Sequence, residues 1–156
     1  MKIGLLADHP QEIAHITQWY YDQWARHFPH VTREMVSRKI TEKAVNRDQF
    51  PLAIVIHEGN TLIAVAELKF RENANYPEYE HWLGGVYVTS SQRGLGVATK
   101  LITQALSLSQ CMGVKTLYLQ CESNHVALYK KHGFEVCHHT LHGEVATTIM
   151  ACSLSS

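Results

Sequence analysis

The sequence predicts an α/β fold whose mixed, largely antiparallel sheet is flanked by helices and contains one parallel strand–helix–strand unit. Two observations support this class. Short β-branched runs with hairpin-like connections follow one another over residues 51–89. The strand at 81–89 then leads through a long amphipathic stretch to a further strand at 115–121. Two strands joined by a crossover helix are normally parallel, so this unit differs from the hairpins before it.

One domain accounts for the chain. Its 156 residues are 46% hydrophobic, which is enough for one core and short for two. We expect a single domain over residues 1–152 and a frayed tail at 153–156. The N-terminal apolar run is too short for a signal peptide, and no later segment has the apolar length that a bilayer requires. The protein is therefore expected to be cytoplasmic.

The charge balance argues against nucleic-acid and membrane partners, and the cysteine and histidine patterns favour reduced thiols and no metal. Fourteen basic residues balance fourteen acidic ones, so no general field attracts nucleic acid or an anionic membrane. The four cysteines form no CxxC pair, which favours reduced thiols that mostly fill the core. Eleven histidines do not predict a metal, because neighbours such as His138 and His139 point to opposite faces of a strand.

The N-terminal half of the chain is expected to be scaffold. Residues 2–7 predict a strand, and residues 10–28 predict a helix with a proline in its first turn and apolar residues at spacings of three and four. A second helix is expected over 33–47. Two β-rich runs within 51–70 flank Glu-Gly-Asn, which predicts a hairpin. The polar segment 71–80 is broken by proline and predicts a loop.

The C-terminal half contains the parallel unit and a final hairpin. The pattern predicts a strand at 81–89, a long helix to about Met112, a strand at 115–121, a short helix from Ser123 or Asn124 to about His132, and strands at 134–140 and 145–152. Gly84 and Gly85 interrupt the first of these strands, and glycines within a strand mark a bulge or a close backbone approach. We expect this irregularity to separate the strand from its parallel neighbour and to open a slot.

A glycine-spaced turn, RGLGVA at residues 93–98, lies between that strand and the long helix. Gly94 and Gly96 weaken the first helical turn, so the position must favour bare backbone for another reason. A helix N-terminus offers unpaired N–H groups and the positive end of the dipole, which together suit a phosphate, and Arg93 adds a cation. Two interpretations stay open: the glycines admit an anion, or they allow close packing of helix on strand.

The same turn resembles the Arg/Gln-x-x-Gly-x-Gly/Ala motif of the GNAT family of N-acetyltransferases, and ALYKKHGF at 127–134 resembles the family's later Leu-Tyr-x-x-x-Gly-Phe motif. The resemblance is sharp over residues 82–134 and implies the GNAT-like acyl-CoA N-acyltransferase fold. Acetyl-CoA is the implied co-substrate, with no metal. The implied cofactor contacts come from Arg93, Gly94, Leu95, Gly96, Val97, Ala98 and Thr99 at the pyrophosphate, and from Val86, Tyr87 and Val88 along the pantetheine arm.

Departures from the family pattern are confined to the turn and the second motif. Ser90 stands where proline is common in the family, which affects the rigidity of the turn and not the chemistry. Glu122 and His125 stand where asparagine and alanine are common. Asn124 is out of register with that asparagine, and its role as a helix cap is as plausible as a cofactor contact.

Acetyl transfer by direct attack in a ternary complex needs a base for the amine, donors for the oxyanion and a proton for the leaving thiolate. The resemblance places Tyr129 at the general-acid position, and a phenol stays protonated at neutral pH. It also favours Glu80 as base, because family members can use a carboxylate near the start of this strand. His81 has the more suitable intrinsic pKa, and Glu67 is a third candidate. Ordinary solvated or salt-paired roles are the alternative for all three, so a dedicated base need not exist. A free N–H near Val88 would serve the oxyanion.

The acceptor would be a small cationic amine or a peptide N-terminus. The stretch NYPEYEHW at 75–82 suggests an aromatic and acidic mouth, with substrate contacts from Tyr76, Tyr79 and Trp82. A polar loop with packed rings is the alternative. A regulatory domain that binds acyl-CoA without turnover is the rival function, against which Tyr129 argues. A nucleotide-binding domain is disfavoured because no P-loop Lys-Ser/Thr is present. Exposed final strands would allow a homodimer.

Overall fold

The computed structural model describes residues 1–154, which form a seven-stranded sheet between two layers of helices. The strands in chain order are β1 (Lys2–Leu5), β2 (Leu52–Glu58), β3 (Thr61–Phe70), β4 (His81–Val88), β5 (Thr116–Cys121), β6 (Glu135–His142) and β7 (Val145–Ser153). The helices are α1 (Ile13–Gln23), α2 (Arg33–Glu42), α3 (Val97–Cys111) and α4 (Val126–Lys130).

The sheet has the order β1-β2-β3-β4-β5-β7-β6. Every neighbouring pair is antiparallel except β4 and β5, which are parallel and are joined by α3. This topology confirms the predicted mixed sheet with one parallel strand–helix–strand unit. It places the start of α3 at the end of β4, where the glycine turn lies.

Helices cover both faces of the central strands, so these strands are apolar on both sides. Ile54 and Leu68 pack in one core with Leu101 and Ile102 of α3. On the opposite face Val55 packs with residues of α1 and α2. The alternation of side chains along a strand thus divides the core into an α3 and α4 side and an α1 and α2 side.

The first strand and the first two helices are shorter than the sequence predicts. β1 ends at Leu5, where the chain enters a 3-10 turn. The helix predicted over 10–28 begins with a 3-10 turn and is interrupted at Trp24, whose φ of −127° and ψ of −52° lie outside the helical range. α2 ends at Glu42, and the following Lys43 is buried. Polar and aromatic spacing alone did not show where these helices end.

The C-terminal strands extend further than predicted. β7 runs to Ser153, and the N–H of Leu154 donates to the carbonyl of Lys115 at 2.8 Å. Ser153 therefore belongs to the sheet, and Leu154 is bonded to the residue before β5, whereas both were predicted within a tail at 153–156. The last two residues of that tail lie outside the described part. β6 is an edge strand, and its Val136 and Leu141 are 37% and 62% exposed. Pairing of two copies along this edge stays a prediction.

The cysteines correct one expectation. Only Cys152 is buried, whereas Cys111 and Cys137 are exposed and Cys121 is intermediate. The prediction that they mostly fill the core is therefore wrong, because Cys111 ends α3 and Cys137 lies on the edge strand β6. All four thiols are free. Within residues 1–154, no helix has both the length and the apolar character needed to cross a bilayer.

Candidate active site

A slot opens between the parallel strands β4 and β5. The two strands pair at Trp82 and Tyr118 and at no later position. Opposite Ala66 of β3, strand β4 carries an extra residue at Gly85 and Val86, which shifts the register of the ladder. Gly85 has a φ of +56°, and a bulge of this kind bends the strand that carries it. The bulge predicted from Gly84 and Gly85 is thus confirmed.

The main chain of β4 beyond the bulge faces this slot. The N–H of Thr89 donates to the carbonyl of Ile63 on β3 at 2.9 Å. Because main-chain groups alternate in direction along a strand, the neighbouring Val88 directs its N–H and C=O away from β3, and Val86 does the same. β5 does not pair with this part of β4. Val86 and the N–H of Val88 therefore offer main-chain hydrogen-bonding groups to a ligand in the slot, whereas the carbonyl of Val88 accepts from Arg93.

The turn from β4 into α3 is built from two left-handed glycines. Gly94 has a φ of +77° and Gly96 a φ of +82°. An ideal Cβ at either position would meet no atom within 4 Å. The glycines are thus explained by backbone conformation and open space, and the alternative of close helix–strand packing is excluded. Within residues 1–154, the N–H groups of residues 94–99 donate no main-chain hydrogen bond of close geometry.

The residues around the turn differ in what they expose. The side chain of Leu95 is 66% exposed, whereas Val97 is buried in the core and anchors the start of α3. Arg93 donates from Nε to the carbonyl of Val88 at 2.9 Å, and its guanidinium carbon lies 5.6 Å from the centre of the Tyr87 ring. The guanidinium is thereby held at the end of β4. The ring of Tyr87 packs on Trp19 of α1 at 4.8 Å, so this side chain faces α1.

Tyr129 lies in α4 with its ring buried and its oxygen accessible. The residue is 8% exposed, and the ring packs edge-on against Phe134 at 5.9 Å. Burial, with a smaller effect from the charge of Cys121, raises the pKa of Tyr129 to about 12. Among the described residues, the buried side-chain oxygens without a partner are those of Thr89 and Ser109. The Tyr129 hydroxyl is not one of them and makes no hydrogen bond within that part of the chain.

Glu80 and His81 lie at the closed end of the slot. The Glu80 carboxylate is 49% exposed and lies 3.7 Å from Arg71 and 3.9 Å from Nε2 of His81. The His81 ring packs edge-on against Phe50 at 4.9 Å. At about 3.3 Å per residue, Glu80 is about 16 Å from Gly85 along the strand. This separation is too long for a direct proton transfer at the bulge.

Glu67 is buried on the α1 and α2 side of the sheet. Its carboxylate pairs with Nζ of Lys43 at 3.0 Å. Burial raises the pKa of Glu67, but the nearby ammonium groups of Lys69 and Lys43 outweigh it and leave the pKa below its usual value. A buried carboxylate that is already paired and has a lowered pKa is a poor proton acceptor.

The aromatic side chains of the loop 71–80 pack on one another. Tyr79 stacks on Tyr76 at 5.4 Å and on Tyr118 of β5 at 4.0 Å. Its hydroxyl lies 2.6 Å from Nε2 of His138 on β6. Trp82 is fully buried and donates from Nε1 to the carbonyl of Tyr79. This arrangement corresponds to the alternative of a polar loop with packed rings. Trp82 anchors the loop through its hydrogen bond to Tyr79.

Two features of the site were not predicted from the sequence. His138 joins the tyrosine cluster from a strand that lies far along the chain. Trp24, whose spacing from Ile13, Ile16 and Tyr20 predicts a core-facing position, is 41% exposed and lies 6.4 Å from Tyr87. The only sequence signal for aromatic contacts outside this core row was that Trp19, Tyr21 and Phe28 lie off its spacing and need other neighbours. Within residues 1–154, no group of His, Cys, Asp or Glu is arranged to hold a metal.

A splayed parallel pair beside a helix N-terminus with a glycine turn, within this mixed sheet, is the acyl-CoA N-acyltransferase fold. The sequence model of the Acetyltransferase (GNAT) family matches residues 13–134. The chain belongs to this family and is an acyl-CoA-dependent N-acetyltransferase, as the two motifs predict.

Solved structures share this fold at low sequence identity. The structure of yncA from Salmonella typhimurium with its cofactor acetyl-CoA has a TM-score of 0.75 and 17% identity, and the match covers 100% of this chain and 95% of that one. An aminoglycoside 6'-N-acetyltransferase complexed with coenzyme A has a TM-score of 0.74 and 14% identity, and the match covers 100% of this chain and 98% of that one. A spermidine N-acetyltransferase variant from Vibrio cholerae has a TM-score of 0.71 and 14% identity, and the match covers 99% of this chain and 95% of that one. No curated protein sequence matches the chain significantly.

Proposed function

We propose that the protein transfers the acetyl group of acetyl-CoA to a primary amine by direct attack within a ternary complex. The acceptor is a small cationic amine or a peptide N-terminus. The observation that carries this proposal is the run of N–H groups at residues 94–99, which donate no main-chain hydrogen bond of close geometry within the described chain, beside the unpaired edge of β4. Related structures that contain coenzyme A or acetyl-CoA support the choice of cofactor.

The turn suits the pyrophosphate of acetyl-CoA. Phosphate oxygens would accept hydrogen bonds from the N–H groups of residues 94–99, and the helix dipole favours their charge. Gly94 and Gly96 leave the approach free of Cβ atoms. Arg93 adds a cation at the end of β4. The pantetheine arm would then lie along Val86 and Val88 as an added strand.

The chain supplies two groups for the transfer step. The amine nitrogen attacks the thioester carbon, and the N–H of Val86, next to the bulge, donates to the developing oxyanion. The intermediate collapses as the carbon–sulfur bond breaks, and the hydroxyl of Tyr129 donates a hydrogen bond to the leaving sulfur. Full transfer of the proton from a phenol with a pKa of about 12 to a thiolate of pKa about 8.5 would be unfavourable by about 5 kcal/mol. Tyr129 is therefore a hydrogen-bond donor to the thiolate, and solvent supplies the net proton.

Glu80 and His81 are assigned an indirect role. Along the strand, Glu80 is about 16 Å and His81 about 13 Å from Gly85, so neither reaches a thioester beside the bulge directly. They would accept the proton of the amine only through intervening water, and an amine that reaches the site uncharged needs no dedicated base.

Replacing Glu80 with glutamine is expected to lower kcat by no more than about threefold, since a directly acting base contributes about a hundredfold or more. Steady-state rates at saturating acetyl-CoA measure this effect. Glu78→Gln is the matched control, because Glu78 lies in the same loop and is likewise exposed. A loss of about a hundredfold confined to Glu80→Gln would contradict the indirect role and identify Glu80 as the base.

The acceptor site is proposed on the α1 and α2 face of the slot. Tyr118 alternates with Leu117 and Leu119, which pack on the α3 side, so the stack of Tyr76 and Tyr79 lies on the opposite face. The rings of Tyr76 and Tyr79 are partly exposed, and aromatic faces with nearby carboxylates attract cations. Among the related structures are enzymes named for aminoglycosides and spermidine, which agrees with a cationic amine.

A panel of amines with acetyl-CoA tests the proposed function. Release of free thiol, followed with a thiol-reactive dye, is expected only when a suitable amine is present, and mass spectrometry should show the acetylated amine. Spermidine, an aminoglycoside and a short peptide with a free N-terminus represent the three acceptor classes. Tight binding of acetyl-CoA without amine-dependent thiol release across the panel would favour the regulatory alternative.

A further inference from the structure

Beneath the bulge of β4 lies a cluster of three buried polar side chains from three different elements. The hydroxyl of Tyr20, on α1, donates to the carbonyl of Gly85 at 2.6 Å. Glu67 on β3 adjoins this hydroxyl and pairs with Nζ of Lys43, just after α2, at 3.0 Å. The three residues are 7%, 6% and 8% exposed. We call Tyr20, Glu67 and Lys43 the brace.

The brace fits closely around Gly85. An ideal Cβ at Gly85 would collide with the Glu67 carboxylate and lie 2.5 Å from the Tyr20 hydroxyl. Gly94 and Gly96 also have positive φ, but a Cβ there meets no neighbour. Gly85 is therefore required both by its backbone conformation and by the side chains packed against it.

The pKa shifts within the brace keep Tyr20 protonated and Glu67 ionised. Burial, followed by the charge of Glu67, raises the pKa of Tyr20 well above its usual value. The lysines keep Glu67 ionised despite its burial. The Tyr20 hydroxyl has the geometry of a donor to the carbonyl of Gly85 at 2.6 Å, and the carboxylate of Glu67 lies beside the same hydroxyl as a second acceptor. Buried ion pairs are weak contributors to stability compared with apolar packing, so their presence at this bulge calls for a role other than stability.

A trans peptide links the brace to the slot. The carbonyl of Gly85 and the N–H of Val86 belong to one planar peptide unit and point in opposite directions. Fixing that carbonyl on Tyr20, beside β3, therefore directs the N–H of Val86 toward the unpaired edge of β4. The orientation of this donor is set by a side chain on α1 that does not itself face the slot.

We propose that Tyr20, held by the Glu67–Lys43 pair, is a positioning residue that aims the N–H of Val86 at the thioester oxygen. This inference rests on the proposed acetyl transfer and adds to it the device that orients the oxyanion donor. Donors preorganised in this way contribute strongly to catalysis only when their direction is fixed before the reaction.

The variant Tyr20→Phe tests this role, with Tyr21→Phe as the matched control on the same helix. Tyr20→Phe keeps the ring and removes the hydroxyl, with its bond to Gly85 and its contact with Glu67. We expect kcat to fall by about tenfold or more while the KM for acetyl-CoA stays within about twofold, because a misdirected donor affects the transition state. Tyr21→Phe should change neither value.

An NMR measurement separates this inference from the proposed function. In Tyr20→Phe, the carbonyl carbon shift of Gly85 and the amide nitrogen shift of Val86 should both change without any ligand, and Tyr21→Phe should leave them in place. Failure of the wild-type protein to bind acetyl-CoA would overturn the proposed function without affecting these shifts. Unchanged shifts in Tyr20→Phe, or a folded Tyr20→Phe protein with wild-type kcat, would overturn the brace.

The contribution of the ion pair is tested at Lys43. Lys43→Met removes the partner of Glu67, and we expect a fall in kcat with KM for acetyl-CoA preserved. Lys43→Arg restores a cation and is expected to recover most of the lost rate. Equal rates for Met and Arg at this position would remove the ion pair from the brace.

Discussion

Replacing Tyr129 with phenylalanine is expected to lower kcat by about a hundredfold and to leave the affinity for acetyl-CoA within about twofold. Loss of a single well-placed donor in a catalytic site has a cost of this order. The change removes only the hydroxyl, and the ring still packs against Phe134. No cavity forms, so a fall in kcat can be assigned to the missing donor rather than to unfolding.

The pH dependence of this variant checks the assigned role. Because burial raises the pKa of Tyr129 to about 12, the phenol is protonated from neutral pH to about pH 11 and ionises only above that range. The ratio of wild-type to variant kcat is therefore expected to be constant between about pH 7 and pH 10. A ratio that falls toward unity within that range would contradict the buried, protonated donor. An undiminished kcat at pH 7 would leave Tyr129 with a packing role only.

The same linkage has a consequence for stability. A phenol whose folded pKa exceeds its unfolded value of about 10 stabilises the protein below pH 10, and this contribution is lost as pH rises toward 12. Alkaline unfolding measured in parallel should thus be less steep for Tyr129→Phe than for the wild type. That comparison tests the burial of the phenol independently of any substrate.

Local patterns were sufficient for the parts of the fold that depend on neighbours in sequence. Alternation and β-branching located the strands, and the order of hairpins followed by a helical crossover predicted the single parallel pair. The bulge followed from Gly84 and Gly85 alone, because a strand has few other uses for two consecutive glycines. The turn at Gly94 and Gly96 was readable for the same reason, since left-handed backbone has few substitutes for glycine.

Side-chain contacts between distant parts of the chain could not be predicted from the sequence. Tyr20 and Gly85 are 65 residues apart, and Tyr79 and His138 are 59 apart. In the sequence, Tyr20 has the spacing of a core residue, and nothing nearby indicates a partner for its hydroxyl. Glu67 did stand out as an acid in an apolar strand, but its ion-pair partner Lys43 lies within the helix predicted over 33–47, where no local pattern distinguishes it.

The stacking of the aromatic loop is a part of the geometry that composition did not predict. Tyr76 and Tyr79 were expected to line a pocket because aromatic rings and carboxylates in one loop suit a cation. The fold brings Tyr118 and His138 beneath the same loop, and the rings stack on them. Stacking buries ring surface that an isolated loop would leave in water, so the packed arrangement is favoured until an acceptor competes for the same faces.

Replacing Gly96 with alanine is expected to raise the Kd for acetyl-CoA by more than about tenfold. A left-handed alanine costs about 1–2 kcal/mol, which favours rearrangement of the turn away from its φ of +82°. If the alanine keeps this conformation, its methyl group enters the open space through which the phosphate oxygens would reach the N–H groups of residues 94–99. Either response weakens the same hydrogen bonds, and isothermal titration calorimetry measures the loss.

Gly113 provides the control that separates backbone strain from loss of the binding site. Its φ of +79° is nearly that of Gly96, and an ideal Cβ there also meets no atom within 4 Å. It follows the other end of α3, about 22 Å away for a helix of this length. Gly113→Ala should lose a similar free energy of unfolding and keep wild-type affinity for acetyl-CoA. If both variants bind acetyl-CoA equally well, the pyrophosphate does not dock at the start of α3, because strain alone would then explain every effect of the substitution.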